Sequence, residues 1–219
     1  MKFILLLSFF FLPISFLFSQ QLIAKPELRN GDLLFVGAQK ENLSGAINRV
    51  TQRNSNQSYD HIGLLEKDKD SVLFVLDAST KKGSARESLD SFCMRERTDS
   101  RVVAVYRLYA NYQYAIPSAI IRAKELLGRP YNWSYVLNEN SYYCSDFVER
   151  TFRQDTVFHL EPMTFVNPKT GKIDDYWIDF YKKQNMDVPE GKLGCNPNGL
   201  AASPKLYFVG FLNVDKEKY

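Results

Sequence analysis

Two apolar runs, residues 62–65 and 72–76, flank the alternating charges Glu66-Lys67-Asp68-Lys69-Asp70, and this pattern is the signature of a β-hairpin. With Lys69 at the centre of the turn, Leu65 faces Leu73, Gly63 faces Val75 and His61 faces Asp77. Directly opposed residues share a face, with Cβ atoms about 5 Å apart. The expected register therefore sets an imidazole beside a carboxylate.

The remaining elements are read from apolar spacing and punctuation. Asn30-Gly31-Asp32 is a turn signal before a short strand at 33–36. Asn42 or Ser44 can cap a helix running through Ala46, Ile47 and Val50 to about Arg53. A further strand is expected at 101–106. Ile116, Ala119, Ile120, Ala123, Leu126 and Leu127 recur at helical spacing, with Pro117 in the first turn and Gly128 past the end. Another helix begins near Cys144 and carries Phe147, Val148, Thr151 and Phe152 on one face; 176–181 reads as a short helix and 206–212 as the last strand. Strands and helices are partly segregated, so the expected class is α+β.

No linker, repeat or low-complexity stretch interrupts residues 21–219, which predicts a single domain. The 45% hydrophobic and 24% charged content excludes a disordered or collagen-like chain, and 16 Phe with 13 Tyr supply a large core. A formal charge of only +3, with acids and bases interleaved, lacks the basic footprint that a nucleic-acid partner requires.

Residues 1–20 read as a secretory signal: Lys2, an apolar run over 3–18 broken by Pro13, then Ser19 and Gln20. The run is short for a membrane span, and no Cys precedes Cys93, so no lipid-modified terminal cysteine is expected. The expectation is an exported protein, periplasmic or extracellular, with no stable membrane span after processing. Three cysteines, Cys93, Cys144 and Cys195, are an odd number for an oxidising compartment, which makes one thiol a candidate nucleophile.

Only His61 and His159 can serve such a thiol as a base. His61 with Asp77 forms half of a triad, because a carboxylate fixes the tautomer of its imidazole and stabilises the imidazolium. Cys144 falls at a helix start, where unpaired N–H groups and the dipole favour a thiolate and could hold an oxyanion. These residue types suit acyl transfer through a thioester. Blander roles stand beside these: His61 as a packed polar residue, Asp77 as a cap for the turn after it, Cys144 as an inert core thiol.

The order Gly31-Asp32-Leu33-Leu34-Phe35, Tyr59-Asp60-His61-Ile62-Gly63-Leu64, Val75-Leu76-Asp77-Ala78 resembles the permuted papain-like amidases of the YiiX and YaeF group, related to NlpC-type cysteine peptidases. Residues 127–132 and Tyr143-Cys144-Ser145-Asp146-Phe147-Val148 resemble that family's loop before the nucleophile and its nucleophile motif, and 188–191 with Asn196-Pro197 also fit. The resemblance implies a circularly permuted core, with a small antiparallel sheet or partly closed barrel packed on helices. It implies Cys144 as nucleophile, His61 as general base and Asp77 as the orienting acid, although members of the group carry Glu more often at the third position.

His159 lies fifteen residues after Cys144 without a carboxylate to pair with, and reads as structural or as lining. Clustered His and Cys spacing is lacking, so neither a metal site nor a cofactor is expected. With Cys144 assigned to chemistry, Cys93 and Cys195 are a possible disulfide. Tyr131, Trp133 and Tyr143 are substrate-binding candidates that could equally be core, and Arg129 either meets a substrate carboxylate or is solvated after a helix end.

The expected activity is hydrolysis of an amide bond in a cell-wall peptide, including peptidoglycan fragments, or in an acylated amine. Two alternatives use the same cleft: hydrolysis or transfer of a lipid acyl group, and non-catalytic binding of wall peptides or lipids.

Overall fold

The structure, a computed structural model, describes residues 21–53, 57–97 and 101–213. The leader expected at 1–20 lies outside the described residues. In chain order the elements are β1 (Leu22–Ile23), β2 (Leu33–Gly37), α1 (Asn42–Thr51), β3 (Tyr59–Lys67), β4 (Leu73–Ser79), β5 (Gly83–Ser88), α2 (Leu89–Arg97), β6 (Val103–Leu108), α3 (Ile116–Glu125) and α4 (Cys144–Phe152). There follow β7 (Glu161–Pro162), β8 (Val166–Asn167), β9 (Lys172–Ile173), α5 (Asp175–Lys183), β10 (Leu193–Gly194), α6 (Pro197–Ala201) and β11 (Leu206–Leu212). The class is α+β, as the segregation of elements predicts.

Among the described residues the main sheet has seven strands in the order β1-β11-β6-β2-β3-β4-β5. Its pairings are antiparallel except for β1 on β11, so the sheet is larger than the resemblance implies, and mixed. One face carries Leu33, Phe35, Ile62, Leu64, Leu76 and Ala78 against Ala119, Ala123, Phe147, Val148 and Phe152 of α3 and α4. The other carries Leu34, Val36, Leu65, Val75, Val103 and Val105 against Leu89, Phe92 and Cys93 of α2. This period-two alternation lets strands buried on both faces separate two helical layers.

The β3–β4 register differs from the expected one. Leu64 pairs with Leu76 and Leu65 with Val75, a shift of two residues. The turn explains it: the Asp68 carboxylate accepts from the N–H groups of Asp70 and Val72, Asp68 N–H donates to Val72 O, and Ser71 takes a positive φ. Asp68 thus moves the centre of the turn to Asp70. A shift of two preserves the face of every side chain. Continued toward the strand ends, this register sets Gly63 opposite Asp77 and puts His61 one step along the diagonal.

The loop before α4 is fastened to the β4–β5 turn by Ser84. Ser84 N–H donates to Arg129 O (2.8 Å), Gly128 N–H to Ser84 O (2.8 Å), Arg129 N–H to Ser84 Oγ (2.9 Å), and Ser84 Oγ–H to Leu126 O (2.7 Å). Gly83 has φ +66°, and a Cβ there would lie 2.1 Å from Arg129 O, so this approach requires glycine.

Candidate active site

Cys144 is the first residue of α4, with Tyr143 as an extended N-cap (φ −95°, ψ 166°) that has no capping side chain. The thiol therefore stands at the helix end where the first-turn N–H groups lack intrahelical partners, at the positive end of the helix dipole. All nine residues of α4 are buried, which places the nucleophile candidate on a rigid central element. Its charged residues pair with one another and with Glu139: Arg150 donates to Asp146 Oδ1 and to Glu139, and Arg153 to Glu149.

A β-bulge positions the imidazole. Val36 of β2 pairs with His61, but Gly37 pairs with Tyr59, so Asp60 is the extra residue. Its carbonyl lies 3.9 Å from Cys144 Sγ, and its carboxylate forms an ion pair with Arg101, whose Nε donates to Gly37 O (2.8 Å). Burial pulls the Arg101 guanidinium down to about 10, against the Cys144 charge, which raises it. A cation held this close to the sulfur is a feature of the site.

His61 Nε2 lies 2.7 Å from Asp77 Oδ2. An ionised carboxylate only accepts, so Nε2 carries the proton and Nδ1 remains for the thiol. Burial alone would lower the His61 pKa, but hydrogen bonds to Asp77 and Cys144, with their charges, push it up to about 10. Asp77 is fully buried; burial raises its pKa, and the His61 hydrogen bond with the charges of His61 and Arg95 brings it below the ordinary carboxylate range. Gly63 makes the diagonal contact possible, since a Cβ there would fall 2.5 Å from Val75 Cγ1 and 3.5 Å from Asp77 Cβ. The Phe92 ring stacks on the imidazole with centroids 6.0 Å apart.

A cavity of about 440 Å³ opens at Cys144. Tyr131 and Tyr143 line it together with Tyr135, which no sequence signal singled out. Burial raises the Tyr131 and Tyr135 hydroxyls well above the ordinary phenol value, as does the charge of Cys144. Both are therefore neutral donors beside the sulfur. Trp133 and Arg129 do not line the cavity: Trp133 packs edge-on against Tyr131 at its margin, and the exposed Arg129 is held through its backbone by Ser84. His159 is exposed and lines the cavity, the lining role expected for it.

The expected disulfide is corrected: no disulfide joins Cys93 and Cys195. Cys93 is buried in the core on the α2 face of the sheet and Cys195 in the core on the opposite face. Among the described residues no three His, Cys, Asp or Glu side chains gather as metal ligands, and no helix is long and apolar enough to cross a membrane.

Sequence reasoning missed Arg95 and Glu87 behind Asp77, and the Asp60–Arg101 pair beside Cys144. Arg95 Nη2 donates to Asp77 Oδ2 at 2.8 Å, and Nη1 lies 2.9 Å from Glu87 Oε1. The one available signal was the neighbour relation of Asp60 to His61; Arg95 stands in a run of mixed charges that nothing distinguishes.

A thiol at a helix start, with an imidazole and a buried carboxylate from earlier strands, is the arrangement expected of a papain-like cysteine hydrolase with its histidine ahead of its cysteine. The chain belongs to the permuted papain-like amidase enzyme family, YaeF/YiiX, C92, whose family model matches residues 27–210. It is similar in fold to a crystal structure titled as metalloprotein yiiX from Escherichia coli O157:H7, with TM-score 0.64 and 21% identity over 83% of this chain and 96% of that one. No curated protein sequence matches it.

Proposed function

We propose that this amidase hydrolyses the amide bond of an N-acylated amine through a thioester at Cys144. The observation that carries the reading is the hydrogen bond of His61 to the buried Asp77, together with the thiol of Cys144 at the start of a buried helix, whose charge raises the His61 pKa. His61 Nδ1 takes the proton from Sγ, and the sulfur attacks the carbonyl carbon. The oxyanion is received by first-turn N–H groups of α4, an arrangement worth roughly 10²–10³ in rate per donor. The C–N bond breaks as the imidazolium gives its proton to the departing nitrogen. Water then gives a proton to Nδ1 and adds to the thioester, the C–S bond breaks, and the proton returns to sulfur with release of a carboxylic acid.

The cavity supports the choice of substrate. Ile47, Val50, Phe158, Met163, Phe165 and Leu200 make most of its wall apolar, which suits a hydrocarbon chain at about 0.8 kcal/mol for each buried methylene. Cys144 lines it, whereas His61 and Asp77 do not. The leaving nitrogen must meet His61, so the acyl part enters the cavity and the amine stays outside it. A cell-wall peptide would set its polar groups against the apolar part of this wall, at a cost in desolvation. A lipid ester, or an acceptor other than water, would use the same thioester and stands as the second reading. Among the described residues no three side chains gather to hold a resident metal, and every step above uses protein groups and water. The apolar leader supports action after export, in the periplasm or outside the cell.

The test is hydrolysis of a panel of N-acyl amines and muropeptides by the protein and by Cys144→Ala. Release of amine from long-chain substrates, with a thioester adduct on Cys144 seen by mass spectrometry, is the expected result. Equal activity in Cys144→Ala overturns the mechanism, and preference for muropeptides overturns the substrate.

A further inference from the structure

Resting on the triad reading above, we infer that Arg95 is a positioning residue for the second half of the cycle, compensating the buried charge of Asp77 while the thioester is hydrolysed. Asp77 Oδ2 accepts from both His61 Nε2 (2.7 Å) and Arg95 Nη2 (2.8 Å), and its Oδ1 is buried with no partner among the described residues. Arg95 is fixed in turn by Glu87, which also pairs with Lys82 (2.7 Å) and accepts from Ser91 Oγ (2.9 Å). The Phe92 ring lies between the two groups, stacked on His61 and with the Arg95 guanidinium 5.1 Å from its centroid.

The two halves of the cycle load Asp77 differently. While the sulfur is anionic, the imidazolium formed by its proton stands against Asp77, and the carboxylate has a cation at each side. In the thioester the sulfur is neutral and uncharged, and His61 must be neutral to take the proton of water. Asp77 is then a fully buried anion whose cation among the described residues is Arg95. Without it, His61 would keep a proton to balance Asp77 and lose its function as a base toward water. Thioester formation needs Arg95 less, because the imidazolium supplies the same charge.

The groups that face this pair are defined. From β3 come His61 and the neighbouring Asp60, which is paired with Arg101; from β4, Asp77; from β5, Glu87, with Lys82 behind it; and from α4, Cys144. Glu87 and Lys82 offset one another, so the net positive contribution at Asp77 is that of Arg95. An opposite charge at this range shifts a titration by about 1–3 pH units.

The experiment compares Arg95→Gln and Arg95→Lys with the unmodified sequence. In turnover of an N-acyl amine, Arg95→Gln is expected to accumulate the Cys144 thioester, lowering the hydrolysis rate about tenfold or more relative to acylation, with the acid-side midpoint of hydrolysis moved up by about one pH unit. Arg95→Lys, which keeps the charge, is expected to restore the midpoint. Proportional loss of both rates with the midpoint unmoved indicates a purely structural role and overturns the inference. A second measurement is independent of turnover: Cys144 is alkylated with iodoacetamide, giving a neutral thioether in place of the thioester, and the His61 ring is titrated by NMR. An upward shift of about one unit in Arg95→Gln supports the inference even if no amide is cleaved, in which case the functional reading fails alone. An unshifted titration overturns it even if the enzyme is active.

Discussion

Replacing Asp77 with Asn tests the contact on which the site depends. The substitution keeps the size of the side chain and an oxygen that can accept from His61 Nε2, but removes the charge at 2.7 Å. His61 is half-buried, and that desolvation by itself depresses its proton affinity; the rise to about 10 is the work of Asp77 and Cys144 together. Loss of one of two such anions lowers the titration by about 1–3 units, and at about 1.4 kcal/mol per unit a shift of two is about 3 kcal/mol of lost preference for the imidazolium. The imidazolium that must form during the cycle loses its counter-charge, so amide turnover should fall about a hundredfold or more. The assay is NMR titration of the histidine rings. The sequence has only two, and His159→Gln identifies the signal of His61. A midpoint unchanged between Asp77→Asn and the unmodified protein would show that the carboxylate does not hold the imidazolium, and the reasoning would fail. Asp77→Glu, which keeps the charge, should hold the midpoint high.

Three further outcomes follow from the packing. Burial pushes the Asp146 carboxyl up to about 6 despite Arg150, so between about pH 4 and 6 the folded chain holds a proton that the unfolded chain has released. Stability from this group is complete below pH 4 and lost as pH rises through 6, by about 3 kcal/mol; urea unfolding should show Asp146→Asn narrowing the difference between pH 4 and pH 7. Gly63→Ala brings a methyl to 2.5 Å from Val75 Cγ1 and against Asp77, and should cost about 1–3 kcal/mol of stability and displace the carboxylate, read by thermal unfolding and the His61 titration together. Ile47→Trp fills cavity space beside α1 and should lower kcat/KM for hexadecanoyl amides about tenfold relative to octanoyl amides; equal loss for both lengths would place the chain elsewhere.

Elements with clean periodicity were legible from sequence. The strand at 206–212 coincides with β11, the apolar spacing from Ile116 coincides with α3, and Cys144 opens α4 as its apolar face predicts. β5 and α2 were not legible: Gly83–Ser88 is mostly polar, and Leu89–Arg97 mixes charges with few apolar positions, because both serve one small core patch. Arg95 went unseen with them. His61 and Asp77 were paired correctly through a register that was wrong by two residues. The error was harmless, since an even slip retains the face and Gly63 leaves the diagonal open. Trp133 and Arg129 show the opposite limit: proximity in sequence to the nucleophile does not say which side chains turn inward.

Ser84 sits across the sheet from Ala78, one residue from the acid, and its hydrogen bonds reach the segment that leads to the sulfur. One small residue, through its backbone and its hydroxyl, thus acts as a latch between the two parts of the chain that contribute opposite ends of the proton path. Their spacing is set during folding rather than at encounter with a substrate, so little alignment remains to be done when the carbonyl arrives.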